Sequence, residues 1–293
     1  MKSNVPAPVK RIVHIGSRGY GKLTAARRIL PSFLICGGQR CGTTSMYRAL
    51  AAHPTILKAV LHKGVHYFDV GYTRGFRWYQ AHFPSQRQAA KLERRHSVRV
   101  HTFESSPYYM YHPHAIGRIA TDLPDVKLVV LVRDPVERAY SHHAHEVARG
   151  FESQVDFAKA LALEPARLRG VSERMRDDPH HYSFAHQHHA YRARGEYVRY
   201  LRRMARYVGR DRIHVVDSAA FFADPKPVYD GVLDFLGLPY PDELQSPYPL
   251  FEQHNARPRA PMRDELRAEL TAHFAPFDAE LGQWLGRTPS WRL

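Results

Sequence analysis

The chain has 293 residues, enough to bury a substantial core and close to the upper limit for a single one. Hydrophobic residues make up 44% and aromatic residues 12%, a composition that excludes an intrinsically disordered chain. Forty-three Lys and Arg against 28 Asp and Glu leave a formal charge of +15, which favours anionic partners without choosing among nucleic acid, acidic glycan, membrane surface and phosphorylated cofactor.

Residues 1–30 form a basic arm without an acidic side chain, and residues 31–293 read as one domain. Lys2, Lys10 and Arg11 are not followed by an apolar run of signal-peptide length. No stretch approaches the roughly 20 apolar residues that span a bilayer. The expectation is a cytoplasmic protein without a transmembrane segment. Cys36 and Cys41 imply no disulfide framework and fit a reducing interior. His142, His143 and His145 lack the Cys/His spacing of a structural zinc site, so no metal is expected.

The first strong element is the apolar run Phe33–Cys36, followed by Gly37 and Gly38. A helix is predicted from Thr43 through Met46, Tyr47, Leu50 and Ala51, whose spacing makes one apolar face. Val98–Phe103 suggests another strand. Lys127–Val132 is a stronger one, with the continuous branched apolar run of a strand buried on both faces of a parallel sheet. Arg133-Asp134-Pro135 ends it, and a helix from Val136 to Ala148 stops at Gly150. Residues 151–190 are less regular and read as an insertion. A helix at Tyr191–Val208, a strand at Ile213–Val216 and a helix from Pro225 to Leu236 follow. After a Pro-rich connector at 240–263, the last helix is predicted over Asp264–Phe274. This alternation predicts an α/β fold: a P-loop-like, doubly wound, mostly parallel sheet flanked by helices.

Two glycine-rich segments compete for a phosphate-binding role. Gly16-Ser17-Arg18-Gly19-Tyr20-Gly21-Lys22-Leu23 nearly spells a nucleotide triphosphatase loop, but Leu23 stands where a magnesium-binding hydroxyl is needed, so it reads as a basic surface turn. Gly37-Gly38-Gln39-Arg40-Cys41-Gly42-Thr43-Thr44-Ser45 lies between a strand and a helix. Its backbone N–H groups can cradle phosphate oxygens, with glycine permitting close approach. Arg40 adds a cationic fork, and Thr43, Thr44 and Ser45 add hydroxyl donors. Thr43 stands where a triphosphatase has Lys, which argues against magnesium-dependent chemistry on a γ-phosphate.

This segment, from Pro31 through Ser45 and on to His53-Pro54, resembles the opening of the PAPS-dependent sulfotransferases, in particular the branch related to heparan sulfate sulfotransferases. The resemblance implies that Gly38, Gln39, Arg40, Cys41, Gly42, Thr43, Thr44 and Ser45 hold the 5′-phosphosulfate of PAPS, with Arg40 in the place of the family's usual Lys. Leu131–His142 resembles the family's second cofactor segment, and implies that Arg133 and Ser141 contact the 3′-phosphate. An Arg fork and a hydroxyl suit a terminal phosphate that ATP lacks. Arg194-Gly195-Glu196-Tyr197 resembles a third, shorter cofactor segment, which places Gly195 and Tyr197 near the nucleotide. The resemblance extends from residue 31 to the carboxyl terminus.

Lys63-Gly64-Val65-His66-Tyr67-Phe68-Asp69 resembles a family segment that carries Glu as catalytic base where this chain has Gly64. His66 becomes the first candidate base and Glu104 the second, while Arg40 with the loop N–H groups is the candidate for stabilising charge on the leaving PAP oxygen. His66 can equally orient substrate, and Glu104 can hold a cation in place. Ser105 occupies a position where the family segment has Lys. Lys63 can position the phosphosulfate or simply face solvent. Tyrosines 67, 72, 108, 109 and 111 with Trp78 supply rings for an acceptor or for the core. The function expected is transfer of the sulfuryl group of PAPS to a hydroxyl or amine of a small molecule or glycan, releasing PAP, with no nucleic-acid partner. A catalytically degenerate PAP-binding protein, or an RNA- or anionic-glycan-binding protein using the basic face, is the alternative.

Overall fold

The computed structural model describes residues 23–60, 62–254 and 260–293. Most of the basic arm, including all of the Gly16–Leu23 turn but its last residue, lies outside the described residues.

Five strands, β1 Phe33–Gly37, β2 Ile56–Lys58, β3 His101–Ser105, β4 Lys127–Val132 and β5 Ile213–Asp217, form one sheet in the order β2-β3-β1-β4-β5. Every pairing between them is parallel. All five residues of β1 are buried, as are five of six in β4, because helices cover both faces. The winding reverses at β1: the chain goes from it to β2 and β3 on one side, then crosses to β4 and β5 on the other. Ligands of open α/β sheets bind where the strand order reverses, beyond the carboxyl ends of the strands. Here that crevice lies between the ends of β1 and β4.

The helices that shape the site are α1 Thr43–Ala51, α2 Gln86–His96, α3 Ala115–Asp122, α4 Pro135–Ala148, α5 Phe157–Leu168, α6 Val171–Asp177, α7 Phe184–His188, α8 Tyr197–Val208, α9 Ser218–Ala223, α10 Pro225–Leu236 and α11 Asp264–Leu285. Asp134 caps α4, its Oδ1 accepting from the Val136 N–H at 2.9 Å, with Pro135 as the first helical residue. Inside the sheet–helix interface, the Phe33 and Phe103 rings stack at 4.8 Å between β1 and β3.

β2, α2, α3 and α9 have no counterpart in the sequence expectation, and several other elements differ from it. The strand expected at Val98–Phe103 is β3, three residues later, because Ser97 (φ 55°) and a bond from Val100 N–H to Glu93 keep 97–100 in the exit of α2. α8 starts at Tyr197 rather than Tyr191, since the carboxylate of Glu164 takes the N–H groups of Arg192 and Ala193 and turns the chain there. Residues 151–190 hold α5, α6 and α7 despite Pro165 inside α5. α11 runs eleven residues past Phe274, straight through Pro276, because Leu270, Phe274, Asp278 and Leu281 make one buried stripe that outweighs the lost N–H bond.

Candidate functional site

The loop after β1 approaches β4 closely. Gly38 N–H donates to the Leu131 carbonyl at 2.6 Å, and a Cβ on Gly38 would come 3.2 Å from that oxygen. Arg40 (φ 71°) and Gly42 (φ 83°) both adopt left-handed conformations that bend the loop into the start of α1. A side chain at Gly42 would be strained there and would meet the Phe222 ring at 3.1 Å. For Arg40, a non-glycine residue, such a conformation is uncommon.

A cavity of about 480 Å³ opens at this point. Its walls include Arg40, Gly42, Thr43 and Thr44 from the loop and α1, and Arg133 and Ser141 from the end of β4 and α4. Arg40 Nε donates to Ser141 Oγ at 3.1 Å, so the two segments singled out in the sequence meet directly. Arg133 lies 3.8 Å from Glu137 and keeps a third of its side chain exposed.

The other expected cofactor residues lie behind this wall. Gln39 donates to Glu146 at 3.2 Å and accepts from Arg194. Cys41 is buried, its thiol pushed up by burial. Ser45 Oγ accepts from the His254 N–H at 3.0 Å, which ties α1 to the segment before residue 255. Tyr197 is buried, its hydroxyl donating to the Arg133 carbonyl at 2.9 Å and lying 3.5 Å from Cys41 Sγ. Gly195 packs where a Cβ would lie 2.6 Å from the Phe274 ring. Gly195 and Tyr197 therefore shape the site from the rear instead of lining it.

Sequence reasoning missed the far wall: Ser218 and Phe222 on α9, His254, and Ser290 with Trp291. Ser290 and Trp291 reach the cavity through the return of the chain after α11, for which no local pattern exists.

The acceptor-side candidates sit on the segment after β2. His66 (φ 54°) is left-handed, with 41% of its side chain exposed, and its Nδ1 lies 2.7 Å from Oδ2 of the buried Asp69. Facing a carboxylate, Nδ1 carries the proton and leaves the Nε2 lone pair as acceptor. Burial lowers the His66 pKa, but the hydrogen bond and charge of Asp69, with Glu104, raise it above its ordinary value. Asp69 has no sequence signal beyond its place three residues after His66.

Glu104 is fully buried at the end of β3. Its carboxylate accepts from the Val65 N–H at 3.1 Å and the Ser106 hydroxyl at 2.7 Å. Burial raises its pKa against those bonds. It holds the backbone that presents His66 and faces that backbone rather than an open surface. Gly64 has no room for a side chain: a Cβ would lie 2.6 Å from the Ser105 carbonyl oxygen and 3.3 Å from His66 Nε2. Lys63 Nζ donates to Thr44 Oγ1 at 3.0 Å and Thr43 Oγ1 at 3.2 Å, and both threonines line the cavity.

His142 of α4 belongs to a buried network. Glu146 accepts from His188 at 2.8 Å, lies 3.5 Å from His142 and meets Gln39. Against its burial, the His142 and His188 hydrogen bonds hold its carboxyl well below the usual range. Among the described residues, no group of three or more His, Cys, Asp or Glu is placed to hold a metal ion, and no helix is long and apolar enough to cross a membrane.

Comparison with known proteins agrees with this geometry. The Homo sapiens bifunctional heparan sulfate N-deacetylase/N-sulfotransferase 3 is 25% identical over 295 residues, covering 89% of this chain and 31% of that protein. The Homo sapiens heparan sulfate glucosamine 3-O-sulfotransferase 6 is 28% identical over 214 residues, 72% of this chain and 54% of that protein. The chain thus spans about a third of the first relative and about half of the second. Among solved structures, a sulfotransferase from Alicyclobacillus acidocaldarius superposes with a TM-score of 0.65 at 28% identity, over 90% of this chain and all of that one. Residues 30–260 match the sulfotransferase domain family, and the chain belongs to that family.

Proposed function

We propose that this sulfotransferase takes its sulfuryl group from PAPS and passes it to a hydroxyl or amine of a glycan or small molecule, releasing PAP. The observation that carries the reading is the single cavity in which Arg40, Gly42, Thr43 and Thr44 face Arg133 and Ser141 across β1 and β4. A donor with phosphate at both ends of a nucleoside needs two such sets, and one alone would suit any nucleotide. The close approach at Gly38 and the left-handed turn at Gly42 fit a loop that receives phosphate oxygens on its backbone. The Phe222 and Trp291 rings give the same cavity an apolar wall for a purine. Glycan acceptors are favoured by the two heparan sulfate sulfotransferases among the relatives. The free, buried thiols of Cys36 and Cys41 suit a reducing, cytoplasmic compartment.

In this mechanism Arg133 and Ser141 bind the 3′-phosphate, and the loop N–H groups with Thr43 and Thr44 hold the 5′ end. His66 Nε2 takes the acceptor's proton, with Asp69 fixing the tautomer and stabilising the imidazolium that forms. Glu104 acts by fixing the Val65–His66 backbone.

The test is a titration with PAP in magnesium-free buffer against an adenosine phosphate lacking the 3′-phosphate. PAP should bind, and the analogue should bind markedly more weakly. Absence of PAP binding, with tight salt-sensitive RNA binding instead, overturns the proposal.

A further inference from the structure

We infer that Lys63 is a catalytic residue, the cation that neutralises the leaving phosphate during sulfuryl transfer; the inference rests on the donor reading above. In that transfer, a lone pair on the acceptor oxygen or nitrogen forms a bond to sulfur. The acceptor's proton passes to His66. The bond from sulfur to the bridging oxygen of the 5′-phosphosulfate breaks, and its electron pair stays on that oxygen. The 5′-phosphate gains one negative charge as the sulfuryl group departs with its own, and a group that meets the charge as it grows accelerates the step.

Arg40 acts on Lys63 through charge, while its Nε donates to Ser141 on α4. Ser105 has only a hydroxyl where the resemblance gives Lys. Lys63 alone among the residues singled out places an ammonium on both Thr43 Oγ1 and Thr44 Oγ1. Each hydroxyl accepts from Nζ, so its own proton is free to point elsewhere, and both threonines line the cavity. The ammonium and the two hydroxyls thereby form a donor set at the start of α1, where the helix already favours an anion.

The strand behind Lys63 holds it there. Its carbonyl accepts from the Ser105 N–H at 2.8 Å, and the next residues are fixed by Glu104. Among the described residues no ion pair joins Lys63 to a carboxylate. The groups that face it are Glu104 on β3, Arg40 in the loop, His66 on its own segment and the Tyr47 ring on α1, 5.9 Å from Nζ. Burial brings the ammonium down to about 8, with Arg40 adding to the effect and Glu104 opposing it. A cation in this condition gains when an anion arrives.

The experiment compares the full chain with Lys63→Met and Lys63→Arg. Three quantities are measured: PAP affinity, PAP release from PAPS with water or desulfated heparan sulfate as acceptor, and thermal unfolding. Lys63→Met should bind PAP within about threefold of wild type yet lose roughly 10²- to 10³-fold in turnover, the range for removing one preorganised donor. Wild-type kcat/KM should fall as pH rises through about 8, where the free enzyme loses the ammonium. Lys63→Arg, charged at every pH used, should retain most of the turnover and lack that fall. Lys63→Met turnover within about threefold of wild type, or an alkaline limb unchanged in Lys63→Arg, overturns the inference. A PAP affinity that falls in parallel with turnover does so as well, since that is uniform binding. A wild-type chain that binds PAP but releases none from PAPS removes the Lys63 role alone, whereas one that binds no PAP removes the donor reading with it.

Discussion

Restoring the family's carboxylate at position 64 should damage the protein. A Cβ there would lie 2.6 Å from the Ser105 carbonyl oxygen, about 0.8 Å inside the 3.4 Å at which ordinary contact begins. The obstacle is backbone at the end of β3, where Ser105 pairs with Ile35 of β1 and donates its N–H to the Lys63 carbonyl. The sheet holds that oxygen, so the loop must retreat, and with it His66, whose Nε2 would lie 3.3 Å from the new carbon. Overpacking of this kind costs about 1–3 kcal/mol. For a chain of this size that corresponds to a Tm lower by roughly 2–5 °C. Gly64→Ala isolates the Cβ, and Gly64→Glu adds the carboxylate. Both should melt earlier than wild type in calorimetry, and neither should raise kcat. Gly64→Glu melting with the wild type and turning over faster would show that the slot is open and that the chain has merely lost its base.

Arg133→Ala should weaken PAP binding roughly 10- to 100-fold through loss of charge-assisted hydrogen bonds worth about 1.5–3 kcal/mol, while an analogue without the 3′-phosphate binds as before; titration of both ligands checks it. His66→Ala should lose about 10²- to 10⁴-fold in turnover with PAP affinity unchanged. Because only the neutral imidazole accepts a proton, wild-type kcat/KM should fall as pH drops through the raised His66 pKa, and Asp69→Asn should move that limb to lower pH. Glu146→Ala should cost about 3–5 kcal/mol in chemical denaturation, since it strips a buried partner from His188, His142 and Gln39. The folded Glu146 pKa is depressed, so its contribution is present above the ordinary carboxylate range and is lost as pH falls toward the folded value.

The loop side of the cavity was legible because its residues are local in sequence. Glycines, hydroxyls and an arginine follow one strand in unbroken order, and Arg133 and Ser141 sit at the end of the next strong strand. Parallel strands bring such ends together wherever the winding reverses, so the meeting of Arg40 with Ser141 follows from topology. The acceptor half was less legible because it depends on contacts with no sequence period. Nothing local says that Asp69 turns back on His66, or that the β3 backbone fills the space beside Gly64. The start of α8 and the run of α11 past Pro276 were misjudged for a related reason. The carboxylate of Glu164 ends one helical pattern from 28 residues away, and burial of Asp278 and Leu281 carries the other through a helix breaker.

The net charge acquires a definite meaning in the interior. Arg138 is fully buried with its Nε and Nη1 unpartnered, its Nη2 donating to the Tyr191 carbonyl. Arg194, also buried, lies over the Tyr108 and Tyr111 rings at 4.8 and 4.9 Å and donates to Gln39. Both side chains stand behind the phosphate loop, and both act on Glu146 or Cys41 through charge. Burying a cation without a full set of partners is unfavourable, and the cost falls when an anion binds nearby. Surface arginines would be screened by salt within about 10 Å, whereas these are shielded from solvent. The positive field at the Gly37–Ser45 loop is therefore built into the core as well as spread over the exterior. A field of that origin acts on an anion held in the crevice more than on one lying across the surface.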